Sequence, residues 1–206
     1  MLKLILPSGP PNKKYMSYMM WSFASNLLVS VEVAMSTHSM LDVIGTSDNS
    51  DYRTMNYIGK DIIGQLGGLF YMAKFSEKAD KNPSTFLAYS NLIQQSSFVI
   101  LSATPMFSPS MFLPLAGLSN VLTNISFTGY GAINAKCIQS IASESNNIGE
   151  IYAKITTINT FGSTIGLFGG VALSAWIPDP YTRTMILPVI GFARVYTFNQ
   201  AVKNLI

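Results

Sequence analysis

This sequence predicts an all-α fold, a polytopic helical membrane bundle of about five to six helices that includes one glycine-rich packing helix. Charged residues make up only 11% of the 206 residues, whereas about a quarter is usual in a soluble domain. The charges are also unevenly spaced, because residues 82–135 contain no Asp, Glu, Lys or Arg. Surface helices of soluble proteins place charge on their wet face. A stretch without any charge must therefore be wrapped in lipid or in protein.

The overall composition narrows the classes of function. At this length we expect a single helical membrane domain over residues 1–206. A net charge of +3 is too small to indicate a nucleic-acid partner. The single cysteine, Cys137, excludes an internal disulfide and any multi-cysteine metal site. One histidine and one cysteine leave little for acid–base or nucleophilic chemistry. We expect a protein that is not an enzyme and that holds no metal and no cofactor.

The N-terminal third predicts one long helix and one short, tightly packed helix. Residues 15–35 form the first helix, in which small residues recur and permit close approach of another helix. Residues 42–60 are rich in Asp, Asn and Ser and predict a polar loop. The segment after Asp61 is apolar but too short to span a bilayer. Its glycines, Gly64, Gly67 and Gly68, favour a tightly packed or re-entrant helix.

The uncharged stretch predicts a helical hairpin with arms at residues 86–104 and 111–127. Prolines within residues 105–110 break the helix between the arms, and residues 129–131 end the second arm. Each arm approaches the roughly 20 residues that cross a bilayer. A soluble hairpin that is fully buried in protein is the alternative. The amides within the arms should hydrogen-bond to other helices; they are Asn91, Gln94, Gln95, Asn120 and Asn124.

The C-terminal part predicts three helices. Residues 132–145 form the first, and Asn146, Asn147 and Gly149 predict its end. In the next helix a glycine recurs at every fourth position, which is the small-xxx-small pattern of close helix packing; these glycines are Gly162, Gly166 and Gly170. Residues 183–203 form the final helix, whose Arg194 and Lys203 are available to anchor it at a membrane interface.

A small set of ionisable and amide residues forms a candidate polar site. Glu32 is interpreted either as an acid at a helix end within reach of water, or as a buried acid coupled to His38. Buried ionisable groups in a membrane bundle are functional candidates by default. The full candidate set, which would line a polar pathway for an ion or small molecule, is Glu32, His38, Lys60, Asp61, Asn147, Glu150 and Lys154.

Five segments in order resemble the core domain of the Root UVB Sensitive family, as a divergent and shortened member. They are LPSGPPNKKYMSYMMW, IGKDIIGQLGGLFY, Asn120 with GYGAINA, NNIGEIYAK and ARVYTFNQAVKNL. The most specific is NNIGEIYAK, which is similar to the family's Asn-Asn-x-Ala-Asp/Glu-x-x-Ala-Lys signature. The resemblance implies a helical, membrane-associated protein of plastids, mitochondria or endomembranes. That family is connected with seedling development, auxin transport and vitamin B6 homeostasis, without a settled reaction.

The chain departs from the family pattern at three charged positions. Gly68 and Asn134 stand where the family has arginines, and Leu101 stands where it has an acid. If those charges form a polar site in the family, the resemblance implies that most of that site is missing here.

Three functions follow as expectations. The first is a non-catalytic structural or accessory subunit of a hetero-oligomeric organellar complex in the mitochondrial inner membrane, with lipid and other membrane subunits as partners. The alternative is a membrane protein that transports or binds an ion or small molecule. The third, a soluble enzyme using pyridoxal phosphate, requires a Schiff-base lysine and a phosphate cradle. Lys60, beside the glycines at 64–68, is its only loose candidate.

Overall fold

The computed structural model describes residues 7, 13–45, 50–142, 147–203 and 205–206. Within those residues the structure consists of six α-helices and two short 3₁₀ turns, with no strand, so the all-α prediction is confirmed. The helices are α1 (Lys13–Gly45), α2 (Ser50–Lys81), α3 (Pro83–Ser102), α4 (Phe112–Ala142), α5 (Ile148–Trp176) and α6 (Pro180–Val202). Asn146 and residues 143–145, where the sequence predicts a helix end, lie outside the described residues.

The predicted proline break between the hairpin arms is confirmed. The chain leaves α3 through two 3₁₀ turns, Thr104–Met106 and Pro109–Met111, each with a proline in its first positions. Proline lacks a backbone N–H and excludes the preceding residue from the helical region, so the α-helix cannot continue. The two turns reverse the chain and lead directly into α4.

Helix α6 begins at a proline that follows an aspartate cap. The Asp179 carboxylate accepts hydrogen bonds from the Thr182 hydroxyl at 2.6 Å and from the Thr182 backbone N–H at 2.8 Å. These bonds hold the pKa of Asp179 below its usual value. The cap satisfies one of the N–H groups that a helix leaves unpaired at its start.

The predicted polar loop over residues 42–60 is wrong. Helix α1 extends to Gly45 and α2 begins at Ser50, so most of that range is helical. The polar residues misled the prediction because several of them lie on the outer side of α2, as Asp51 and Thr54 do. The opposite side of α2 rests on α4: a Cβ at Gly64 would lie 2.6 Å from the Asn120 side chain.

The predicted helix end at residues 129–131 is also wrong, because α4 continues unbroken to Ala142. Gly129 serves helix packing here and not termination. A Cβ at Gly129 would lie 2.0 Å from the Ser90 hydroxyl oxygen, so only glycine permits α4 to approach α3 this closely. In the sequence, this glycine is consistent with either a helix end or a close contact between helices. The packing of α4 against α3 shows that it serves the contact.

Helix α1 lies at the centre of the bundle, against α3, α5 and α6, while α2 lies at the edge on α4. Helices α1 and α6 are antiparallel. The rings of Trp21 and Tyr196 meet edge to face at 6.0 Å near one end, and His38 meets Arg183 near the other.

The glycine stripe of α5 faces α1. Gly162, Gly166 and Gly170 are buried, and a Cβ at Gly166 would lie 2.2 Å from the Leu27 carbonyl oxygen. The corresponding distance at Gly170 is 2.7 Å, to the Val31 carbonyl oxygen. The two backbones are in direct contact along this stripe.

Polar side chains occupy much of the bundle interior, and apolar side chains cover much of its outside. Glu32, Gln94 and Arg194 are each at most 1% exposed, and many buried serines accompany them. On the outer surface, Phe168 is 74% exposed and Phe192 is 77% exposed. Two described helices, α1 and α5, are long and apolar enough to cross a membrane.

Candidate binding site

Helix α6 presents two arginines to α1 from one face. Arg183 and Arg194 are about three helical turns apart, which places them on the same side of the helix. Each is 1% exposed, and each pairs with an acid of α1: Arg183 with Asp42, and Arg194 with Glu32. A buried charge is costly unless it is paired and hydrogen-bonded, so these contacts fix the register of α6 on α1.

Arg194 is the centre of the larger polar cluster. Its Nε donates to Glu32 Oε2 at 2.7 Å. Its Nη1 donates to Gln94 Oε1 at 2.6 Å and to the Tyr130 hydroxyl at 2.5 Å. Side chains from α1, α3, α4 and α6 thus meet at one guanidinium group. We call Glu32, Gln94, Tyr130 and Arg194 the central cluster.

Two tyrosine contacts orient the surrounding amides. The Tyr130 hydroxyl donates to Asn91 Oδ1, and the Tyr18 hydroxyl donates to Asn134 Oδ1. In each contact the amide oxygen, and not the amide nitrogen, therefore faces the tyrosine hydroxyl. On α6, Gly191 leaves the space that Gln95 fills, because a Cβ there would lie 1.7 Å from Gln95 Oε1.

Two buried atoms of the central cluster have no hydrogen-bond partner among the described residues: Glu32 Oε1 and Gln94 Nε2. The Gln94 amide cannot be reversed to remove the problem, since Arg194 must donate to its oxygen. Gln94 therefore keeps an unused N–H₂ donor on a side chain that is 1% exposed. A buried donor without a partner costs about 1–3 kcal/mol, so an acceptor is expected beside it.

A cavity of about 210 Å³, the inner cavity, adjoins the central cluster. Gln94, Tyr130 and Arg194 line it from one side, and the rings of Phe127 and Phe198 line it as well. The remaining lining residues are Ser25, Asn26, Val29, Gly131 and Asn134. The cavity thus combines several hydrogen-bonding groups with aromatic surface, which is the usual composition of a site for a small ligand.

The inner cavity adjoins a wider cleft of about 560 Å³ that lies between α1, α4 and α5. Asn26, Gly131 and Asn134 line both spaces. The cleft is partly polar on its α5 side, with Thr156 and Asn159 among its lining residues. A Cβ at Gly131 would meet no atom within 4 Å, so the space beside this glycine is open. The two spaces therefore adjoin at Gly131, and a route from the cleft to the central cluster would pass this residue.

The structure separates the seven candidate residues that the sequence predicts. Glu32 alone belongs to the central cluster, and it pairs with Arg194 and not with His38. None of the seven lines the inner cavity or the cleft. Asn147 donates to Glu150 at 3.3 Å at the start of α5, and Lys154 lies one turn further along the same helix.

His38 belongs to a second cluster near the other end of α6. Arg183 Nη1 donates to His38 Nδ1 at 2.6 Å, and Arg183 Nη2 donates to Asp42 Oδ2 at 2.5 Å. Because arginine has only donors, His38 Nδ1 must be the acceptor in this contact. Arg183 Nη2 also donates to the Pro178 carbonyl at 2.9 Å. This cluster joins α1 to the start of α6.

Lys60 and Asp61 lie on the side of α2 that faces α4. Lys60 Nζ donates to Asp61 Oδ1 at 2.6 Å, and Asn120 Nδ2 donates to the same oxygen at 2.8 Å. The Lys60 ammonium also lies 4.3 Å from the centre of the Tyr57 ring. These contacts hold α2 against α4. Arg194 lies on α6, which packs mainly on α1.

Sequence reasoning missed Arg194. It was expected at a membrane interface, and the structure buries it in the centre of the bundle. A signal was available: Arg183, Leu187, Gly191 and Arg194 recur at helical spacing, and all four are buried. An arginine in register with a glycine and a leucine on one face is better interpreted as inward-facing.

The arrangement defines a class of protein: an all-α bundle with a buried ion pair and an adjoining pocket lined by polar and aromatic side chains. A family model described as "Vitamin B6 photo-protection and homoeostasis domain" matches residues 1–206. The chain belongs to this family, the Root UVB Sensitive family, which confirms the resemblance seen in the sequence.

Three relatives illustrate the similarity. Protein root UVB sensitive 5 of Arabidopsis thaliana is 27% identical over 182 residues, which cover 82% of this chain and 35% of the relative. Protein root UVB sensitive 4 of the same plant is 26% identical over 188 residues, which cover 90% of this chain and 36% of the relative. RUS family member 1 of Dictyostelium discoideum is 22% identical over 183 residues, which cover 86% of this chain and 34% of the relative. The chain thus spans about a third of these relatives' length. No solved structure matches it.

Proposed function

We propose that this chain is a polytopic helical membrane protein whose inner cavity binds a small, planar solute with hydrogen-bond acceptors. The supporting observation is the unpaired Gln94 N–H₂ group, on a buried side chain at the wall of a polar cavity. The Gln94 Nε2 atom is itself buried, so a small movement of the amide toward the cavity would let a carbonyl, phenolate or carboxylate oxygen of a solute accept that hydrogen bond. The proposed role is binding or transport and not catalysis.

The exposed apolar surface supports the membrane part of this proposal. Soluble monomers rarely expose contiguous apolar patches of more than a few hundred Å². Here Phe161, Phe168 and Trp176 are exposed on α5, and Tyr181 and Phe192 are exposed on α6. Lipid would cover these side chains at no cost, while the polar residues inside find partners in one another. Helices α1 and α5 meet the length and hydropathy needed for spanning.

The cavity also restricts the chemistry of its ligand. Glu32 and Arg194 cancel in charge, so the site favours a neutral or singly charged solute over a polyanion. Aromatic walls favour a flat ring. The volume of about 210 Å³ is smaller than the roughly 300–1,000 Å³ of sites for drug-sized ligands. A single substituted ring is the size that these limits allow.

The family description makes pyridoxal the first ligand to test, because it names vitamin B6 homoeostasis. Pyridoxal has one ring with a phenolic oxygen, an aldehyde oxygen and a ring nitrogen as acceptors. No lysine lines the inner cavity or the cleft among the described residues, so a ligand there would not be held covalently through a lysine. We expect reversible binding.

Replacing Gly131 by leucine should close the route to the central cluster. A Cβ at this position would meet no atom within 4 Å, and the rest of the leucine side chain would extend beside the space shared by the cleft and the inner cavity. We expect pyridoxal affinity to fall at least tenfold, which corresponds to about 1.4 kcal/mol. The measurement is equilibrium binding to the full chain in lipid nanodiscs.

Gly149→Leu is the matched control, since a Cβ at Gly149 also meets no atom within 4 Å, and Gly149 lines neither space. Both variants should unfold at or slightly above the wild-type temperature, because glycine is a poor helix former. Equal pyridoxal affinity in Gly131→Leu and wild type, or no saturable binding by the wild type, would overturn the proposed binding function.

A second candidate function, the structural or accessory subunit, is favoured by a separate feature of α2. This helix packs mainly on α4 and exposes an apolar stripe at helical spacing: Met55, Ile58, Ile62, Leu66 and Phe70. We propose the mitochondrial inner membrane as the setting and another membrane subunit as the partner. In mild detergent, Ile62→Glu should reduce the native mass, whereas Thr54→Glu, an exposed position on the flank of the stripe, should not. Migration of the wild type as a lone monomer would dismiss this role.

A further inference from the structure

A groove of about 720 Å³ lies between α3 and α6, and Gln95 is among its lining residues. Its walls are mostly apolar and include Leu87, Ala88, Leu92, Phe192 and Val195. Pro188 and Gly191 also line it, and the space beside Gly191 is occupied by the Gln95 side chain. Arg194 does not line the groove, so it is a separate space from the proposed solute site.

Most of the polar side chains that line the groove lie at one end, and Asn91 and Gln95 line it further along α3. Ser84 at the start of α3 and Asn199, Gln200 and Lys203 at the end of α6 all line it. These residues lie at the same mouth because the two helices are antiparallel: Ser102, the last residue of α3, accepts a hydrogen bond from Thr184 in the first turns of α6 at 3.0 Å. The Lys203 side chain is exposed, and its ammonium makes no ion pair with another described residue.

The α3 wall of the groove is about as long as one leaflet of a bilayer is thick. The lining residues of α3 run from Ser84 to Gln95, which is about 17 Å at 1.5 Å per residue. Half of a hydrocarbon core that is about 30 Å thick is about 15 Å. An acyl chain that starts at the polar mouth would therefore reach the mid-bilayer end of the groove.

We propose that the α3–α6 groove holds one acyl chain of an anionic phospholipid, whose phosphate group pairs with Lys203. A phospholipid fits both features, since its chain covers the apolar walls and its charge lies next to the exposed Lys203 ammonium. A partner helix would cover the apolar walls equally well, but it would not by itself require a free ammonium group at the mouth. The inference depends on the proposed membrane placement and not on the solute in the inner cavity.

The test uses spin-labelled phosphatidylglycerol and phosphatidylcholine with identical acyl chains, added to the full chain in nanodiscs. The fraction of motionally restricted label gives the relative affinity for each lipid. We expect the wild type to prefer phosphatidylglycerol several-fold, and Lys203→Gln to lose that preference. Lys13→Gln is the matched control, because Lys13 begins α1 at the same end of the bundle and does not line the groove.

A second pair of variants tests the groove itself. Ala88→Phe should fill the groove and lower the restricted fraction of both lipids, whereas Ala172→Phe, at an exposed position of α5, should not. An unchanged phosphatidylglycerol preference in Lys203→Gln would overturn the inference, as would cross-linking of a second polypeptide into the groove. Failure of the wild type to enter nanodiscs would overturn the membrane placement and this inference together. Normal entry without a lipid preference would overturn this inference alone.

Discussion

Replacing Arg194 by methionine is expected to cost roughly 3–5 kcal/mol of folding free energy, the range for removing one partner of a buried ion pair. The loss is large because Arg194 donates to side chains of three other helices. Without it, Glu32 Oε2, Gln94 Oε1 and the Tyr130 hydroxyl lose a shared donor inside the bundle. The midpoint temperature of thermal unfolding in detergent should fall by about 2–4 °C for each kcal/mol lost, the range for a chain of this size.

A double replacement separates the ion pair from simple packing. Glu32→Leu combined with Arg194→Met removes both charges, and such exchanges are often neutral or stabilising. We expect the double variant to recover most of the stability lost by Arg194→Met, although Gln94 and Tyr130 still lack their donor. A double variant less stable than Arg194→Met would contradict the pairing of Glu32 with Arg194.

Replacing Gly166 by alanine should have the second large effect. The new Cβ would lie 2.2 Å from the Leu27 carbonyl oxygen and 2.9 Å from Ser30 Cβ. Backbone cannot move aside as a flexible side chain can, so α5 must retreat from α1 along the whole stripe. Overpacking of this kind typically costs 1–3 kcal/mol, and we expect a loss of about 3 kcal/mol or more, because a backbone atom is struck.

Gly169→Ala is the control for that experiment and should change stability in the opposite direction. Gly169 lies on the same helix, and its Cβ would meet only Val31 Cγ2, at an ordinary 3.9 Å. Alanine is a better helix former than glycine by up to about 1 kcal/mol, so a small gain is expected. Equal effects at positions 166 and 169 would mean that α5 does not contact α1 through the stripe.

Much of the fold could be predicted because local signals agreed with it. Prolines at 105 and 109 interrupt the chain between α3 and α4 whatever surrounds them, since proline lacks a backbone donor. The glycine spacing in α5 is likewise a local pattern with one main physical use, close contact between helices. The scarcity of charge predicts in addition that the outer faces of these helices are covered, and this stays a prediction.

The candidate site could not be predicted in the same way, because it is assembled from four helices. Glu32, Gln94, Tyr130 and Arg194 come from α1, α3, α4 and α6, and nothing local in the sequence pairs them. The seven ionisable and amide residues proposed from the sequence were grouped by type, whereas the fold groups residues by the face on which they lie. The predicted loop over residues 42–60 was wrong for a similar reason, because polar residues on the exposed side of α2 were interpreted as a loop.

Gln95 links the two proposed ligand sites. It lines the α3–α6 groove, and its Oε1 lies 3.5 Å from Arg194 Nη2 in the central cluster. A lipid chain in the groove would thus lie one side chain away from the buried ion pair. This proximity gives a physical route by which the surrounding membrane could influence the site.

The most direct test of the proposed membrane placement is the accessibility of spin labels at Phe168 and Phe192, in a chain whose Cys137 is replaced by alanine. Both side chains are exposed. Phe168 lies on α5, which is long enough to span a bilayer, and Phe192 lies on α6, the next helix along the chain. In nanodiscs, we expect relaxation of both labels to be accelerated by dissolved oxygen and hardly at all by a water-soluble nickel chelate. Strong acceleration by the nickel chelate at both positions would show that these faces meet water, and would contradict the placement.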